Sequence, residues 1–114
     1  MARASEHVWQ AGRNQVFLDG IDPDEYPDWC VTVAFYKAVH LVEALLVRHR
    51  YETGNHLNRN NLLRDRFESV WRDYSPLYRL SRVARYWCLP MRTGDVEHAR
   101  ARLSSLERTL EALS

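Results

Sequence analysis

The stretch that decides the fold reads Trp29-Cys30-Val31-Thr32-Val33-Ala34-Phe35-Tyr36-Lys37-Ala38-Val39-His40-Leu41-Val42-Glu43-Ala44-Leu45-Leu46-Val47. It is apolar nearly all round, and a helix that must hide on every side belongs in the centre of a bundle. Its polar members, Lys37, His40 and Glu43, recur at every third position and form one narrow, slowly rotating stripe. Pro27 offers a helix start and Arg48 stands before a loop around Thr53-Gly54-Asn55, so the predicted helix spans 27–48.

Working outward, a first helix is expected from Ser5, a plausible cap, to Leu18, with Trp9, Gly12 and Val16 on one face and Gly20 and Asp22-Pro23 ending it. A third helix is expected from Asn58 to Asp73, with Leu62, Leu63, Phe67, Val70 and Tyr74 turned inward. Ser75-Pro76 reads as a cap followed by proline at the first helical position, opening a fourth helix that runs to Leu89 before Pro90. Asp95 then reads as the cap of a fifth. In that helix Val96, Ala99, Leu103, Leu106, Leu110 and Leu113 alternate steps of three and four, an a/d seam. The seam docks either on the chain's own bundle or on a second chain. No strand alternation and no repeat interrupts this pattern. The expectation is one all-α domain over 1–114, an up-down bundle of four or five helices.

Composition narrows the function classes. The 114 residues are enough for one core, and four Trp and six Tyr are large apolar payloads for so short a chain. The formal net charge of +1 does not drive the whole molecule toward nucleic acid. No apolar run reads as the ~20-residue span a membrane helix needs, and the opening Met1-Ala2-Arg3-Ala4-Ser5-Glu6-His7 lacks a signal peptide's apolar stretch. The expected location is therefore the cytoplasm, away from membranes. Cys30 and Cys88 sit far apart in apolar segments and read as lone buried thiols. There is no Gly-rich phosphate loop, nucleophile elbow or zinc motif, so neither a cofactor nor a metal is expected. Lys37 is the sole lysine among 16 cationic side chains. The arginines that make up the rest suit bidentate phosphate contacts, and codon bias produces the same skew.

Three groups of residues are candidate sites. His56, Arg59 and Asn60 lie at a helix start, where free backbone N–H groups favour an anion and a histidine could carry a proton. The plainer reading has Asn55 or Asn58 capping the helix while His56 and Arg59 face water. On the fourth helix Ser75, Arg79, Arg82 and Tyr86 fall within roughly 60° of one another at ~100° per residue. Arginines flanking an aromatic ring could hold a phosphate and stack a base, or simply keep the outer face soluble. His40, on the apolar central helix, reads as a hydrogen-bonded structural histidine, partnered by Glu43 or a backbone group.

The run Phe35-Tyr36-Lys37-Ala38-Val39-His40 with Ala44-Leu45-Leu46, the following His56 and Arg59, and Tyr74, Leu77, Ser81 and Ala84-Arg85-Tyr86 together resemble HEPN-type proteins over about Asp28 to Tyr86. The resemblance implies a helical bundle, often a homodimer. It also implies either a non-catalytic binding or assembly module, or a metal-independent RNase of a toxin–antitoxin or antiviral system. Active members place histidine four to six residues after arginine. Arg50 with His56 and Arg92 with His98 meet that spacing, making His56 and His98 the catalytic candidates, although chance supplies such pairs in an arginine-rich chain. The polar residue expected directly after the arginine is poorly met by Tyr51 and Thr93. The leading expectation is a non-catalytic HEPN-like module that dimerises or joins a larger RNA- or defence-associated system. Such a module would touch RNA or a nucleotide through Arg79, Arg82, Arg85 and Tyr86. A purely structural subunit docking through the fifth helix comes next, and the RNase last.

Overall fold

The computed structural model describes residues 2–113. It is all-helical: α1 (Ala4–Asp19), α2 (Pro27–Arg48), α3 (His56–Arg66), α4 (Glu68–Arg82), a π-helical turn (Val83–Trp87) and α5 (Thr93–Ala112). α2 is central, as its apolar circumference requires. It packs against α1, α4, α5 and the π turn, while α3 packs on α4. Phe35, Ala38, Val42 and Leu46 of α2 join Leu63, Val70, Tyr74, Leu77, Leu103 and Leu106 in one contiguous core. By length and mean hydropathy α2 could cross a membrane, but most of its apolar window is buried inside the protein.

The polar stripe of α2 ties three neighbours to it. Lys37 Nζ donates to Gln15 Oε1 of α1 at 2.6 Å and to Glu107 Oε1 of α5 at 2.9 Å. His40 meets His7 of α1, Nδ1 to Nδ1, at 3.0 Å, so its partner is neither Glu43 nor a backbone group. Glu43 reaches α3, as described below. α5 is fastened to α4 by Asp73, whose carboxylate accepts from Ser105 Oγ at 2.7 Å and Thr109 Oγ1 at 2.6 Å.

Several boundaries differ from the sequence reading. The predicted third helix is broken at Phe67, where φ −137° and ψ 60° leave the helical region. That break lets the Phe67 ring meet His49 and Tyr51 edge-on. α4 therefore starts at Glu68 rather than at Ser75, and Ser75 is a buried mid-helix residue instead of a cap. Pro76 sits inside α4; its missing N–H leaves the carbonyl of exposed Arg72 without its usual donor. The fourth helix ends earlier than Leu89: the backbone widens into the π turn and Cys88 adopts a left-handed φ of 51°. Cys88 and Trp87 are exposed, so only Cys30 is a buried thiol. Asp95 is the third residue of α5 and accepts from Arg92 N at 2.9 Å, making Arg92 the cap. At α1 the same role falls to Arg3 with Glu6, in place of Ser5. Val96, Ala99, Leu103 and Leu106 of the α5 seam lie in the chain's own core. Trp9 and Val16 of α1, by contrast, face outward.

Candidate phosphate- and base-binding site

Asn55 caps α3 by accepting from Asn58 N at 2.8 Å, which sets His56 at the first helical position and Arg59 one turn on. Arg59 does not face water. Its side chain folds back onto α2 and donates from Nε to Glu43 Oε1 at 2.7 Å, with Thr53 Oγ1 donating to the same oxygen at 2.6 Å. Arg59 is 8% exposed and Glu43 9%. A cation neutralised and enclosed in this way is not offered to a ligand.

The remaining contact of Arg59 fixes the state of His56. Arg59 Nη1 lies 2.7 Å from His56 Nδ1. A guanidinium can only donate, so Nδ1 accepts and the ring proton sits on Nε2. Burial lowers the His56 pKa below 6.5, and the nearby guanidinium groups of Arg59, Arg85 and Arg82 lower it further. His56 is thus a neutral N–H donor whose lone pair is already engaged. Tyr74 packs against Phe35 close by; burial raises the pKa of its hydroxyl to about 12, with the adjacent Arg59 guanidinium opposing that rise.

Above this network lies an aromatic cluster. Phe35, His56 and Tyr78 pack with ring centroids 5.7–5.9 Å apart. Arg85, on the π turn, places its guanidinium carbon 5.1 Å from the Phe35 centroid, 5.6 Å from Tyr36 and 4.9 Å from Tyr86. It is held by neutral groups: Nη1 donates to the Tyr36 hydroxyl at 3.2 Å, and Nη2 to Ser81 Oγ at 3.3 Å. Arg82 lies 5.9 Å from the Tyr78 centroid and 5.7 Å from Tyr86. Among the described residues, neither Arg82 nor Arg85 forms a salt bridge. The result is two cations stacked among rings without a compensating acid, beside a neutral N–H donor. Such a surface can bind a phosphate through the forks and stack a base on a tyrosine face.

The structure therefore gathers His56, Arg82, Arg85 and Tyr86 in one place, with Arg59 beneath them as a positioning residue. Arg79 is exposed and makes none of these ring contacts; His98 is exposed on α5. Asn60 is half-buried, its Oδ1 without a partner among the described residues. Arg50 stands in the turn after α2 with a φ of 65°, and it is Arg59 that contacts His56. Sequence reasoning missed Phe35, Tyr36 and Tyr78 as members of the site. Their place in the site depends on the π turn carrying Arg85 onto α2, which no spacing within α2 reveals. No group of three or more metal-ligating side chains comes together among the described residues. No protein-family model matches the chain, and neither curated proteins nor solved structures provide a match.

Proposed function

We propose that this chain is a non-catalytic, HEPN-like helical module of the cytoplasm that binds single-stranded RNA at the Arg82–Arg85 face and works within a larger assembly. One observation carries the reading: Arg85 is stacked among Phe35, Tyr36 and Tyr86 with no carboxylate partner, an arrangement that leaves its charge for a phosphate and the tyrosine faces for bases. The HEPN-like part rests on the resemblance quoted over about Asp28 to Tyr86, carried by residues of α2, α3, α4 and the π turn.

The chemistry of His56 supports binding over RNA cleavage. A general base needs a free lone pair facing the 2′-hydroxyl. At His56 the Nδ1 lone pair is taken by Arg59, and Nε2 carries a proton that a neutral imidazole does not readily give up. His98 lies exposed on α5 and is not among the residues gathered with Arg82 and Arg85. Val96, Ala99, Leu103 and Leu106 of the α5 seam pack into the chain's own core, which supports a binding module over a subunit that docks through that seam.

The test is a fluorescence-anisotropy titration of a labelled mixed-sequence single-stranded RNA, with the RNA recovered afterwards from EDTA-containing buffer. The expected result is salt-sensitive binding and intact RNA. Arg82→Gln/Arg85→Gln should weaken binding by at least about tenfold, and Tyr86→Ala by roughly 5- to 100-fold, the range of one lost stacking contact. Unchanged affinity in the double variant, or no binding at the solubility limit, overturns the proposal; cleavage abolished by His56→Ala would favour the RNase.

A further inference from the structure

Beside Arg85 the surface opens into a cleft of about 340 Å³, at the small end of ligand pockets. It is lined by Asp28, Trp29, Thr32 and Tyr36 of α2 and by Ala84 and Arg85 of the π turn. Trp29, Thr32 and Tyr36 stand at i, i+3 and i+7 and so share one face of α2. The two rings are 56% and 40% exposed, while Thr32 between them is buried. Aromatic rings held out of the core, with polar groups between them, suit an unstacked base.

Asp28 is the unexpected member of this cleft. Its side chain is half-buried and, among the described residues, forms no salt bridge, either with Arg85 or with any other base. The acid repels a phosphate that Arg82 and Arg85 attract, so charge orients a nucleotide: phosphate on the arginines, base toward Asp28. Thr32 adds to the same polarity. Its Oγ1 donates to the Asp28 backbone carbonyl at 2.8 Å, which spends its only hydrogen and leaves acceptor lone pairs. Asp28 and Thr32 therefore both offer acceptors to a base edge.

We propose that this slot selects guanine. Guanine carries two adjacent donors on its Watson–Crick edge, the ring N1–H and the N2 amino group, and one carboxylate accepts both. Adenine and cytosine each set a single amino donor beside a ring-nitrogen lone pair, which a carboxylate oxygen repels. Uracil sets its one N–H between two carbonyl oxygens. The inference rests on the RNA-binding reading of the Arg82–Arg85 face and names the base that this face prefers. Asp28 also lies in the first turn of α2, where the helix dipole favours an acid. A role confined to that effect would change the affinity for every base alike.

Fluorescence anisotropy with five labelled RNA heptamers tests it: heptauridylate, and the same strand with guanine, adenine, cytosine or hypoxanthine at the centre. The guanine strand should bind about tenfold tighter than the adenine, cytosine and all-uridine strands, the discrimination of one bidentate base contact. Hypoxanthine, which lacks the N2 amino group, should lose most of that advantage. Asp28→Asn keeps the shape of the side chain but replaces one acceptor oxygen with a donor, and the guanine-to-uracil ratio should fall to within about twofold. That ratio is the readout, because removing a negative charge raises the affinity for all strands together. Trp29→Ala should weaken every strand by roughly 5- to 100-fold through the lost stacking contact. Equal affinity for the five strands overturns the inference alone, as does a guanine preference that survives Asp28→Asn. Absence of binding to every strand overturns the RNA-binding reading and this inference with it.

Discussion

Replacing Glu43 by Gln preserves the shape of the side chain and removes the carboxylate charge that pairs with Arg59. In the native protein Glu43 Oε1 sits 2.7 Å from Arg59 Nε and 2.6 Å from Thr53 Oγ1, with both charged residues at least nine-tenths buried. At that separation and an effective dielectric near 20, the pair attraction is on the order of 6 kcal/mol. Part of the loss is recovered because the Gln carbonyl still accepts a hydrogen bond and the surroundings relax, leaving about 3–5 kcal/mol for breaking a buried pair. Against a total stability of about 5–15 kcal/mol this is a large fraction. With a urea m-value near 1.5 kcal/mol per molar, the midpoint should fall by roughly 2–3 M. The assay is urea unfolding followed by far-ultraviolet circular dichroism. Glu43→Gln/Arg59→Met, which removes the stranded cation as well, should recover most of the loss. A single-variant change below about 1 kcal/mol, or a double variant as unstable as the sum of its singles, would refute the reasoning.

Asp73→Ala should destabilise by about 2–3 kcal/mol, because two charge-assisted hydrogen bonds from Ser105 and Thr109 are lost while the freed hydroxyls regain some water; chemical unfolding reads this directly. Two half-buried imidazoles give a pH dependence of defined sign. His40 is held below 6.5 by burial and by His7, and His56 by burial and its arginine neighbours, so below that value the unfolded chain binds more protons than the folded one. Stability should therefore fall as pH drops from about 7 toward 5, and His56→Gln should flatten that slope; an unfolding midpoint that rises on acidification would contradict it.

The helices were legible where local chemistry and tertiary packing agree. α2 runs from Pro27 to Arg48, as its apolar circumference and proline start imply. The α3–α4 junction was not legible, because Phe67 carries no glycine or proline mark; its distortion answers to His49 and Tyr51, which come from a distant loop. Ser75-Pro76 carries a strong local start signal that packing overrides by burying Ser75 mid-helix. On α1 the shared face of Trp9, Gly12 and Val16 was readable from spacing, but whether it turns in or out depends on α2 taking Ala11 and Leu18 instead.

The site was half legible for a similar reason. Arg82 and Tyr86 share a helix face by simple rotation, while the π turn brings Arg85 onto the Phe35 and Tyr36 rings of a different helix. The removal of Arg59 from that surface needed knowledge of Glu43, sixteen residues earlier in the chain and one helix away.

The central claim is that Arg82 and Arg85 are the cations this protein offers to RNA. Side-chain Nε–H resonances of ¹⁵N-arginine protein, assigned by single Arg→Gln variants, report each guanidinium as a short single-stranded RNA is added. Shifts concentrated on Arg82 and Arg85, with Arg59 little changed behind Glu43, are the predicted result. Shifts spread evenly over exposed arginines such as Arg64, Arg72 and Arg108, with none larger at Arg85, would contradict it.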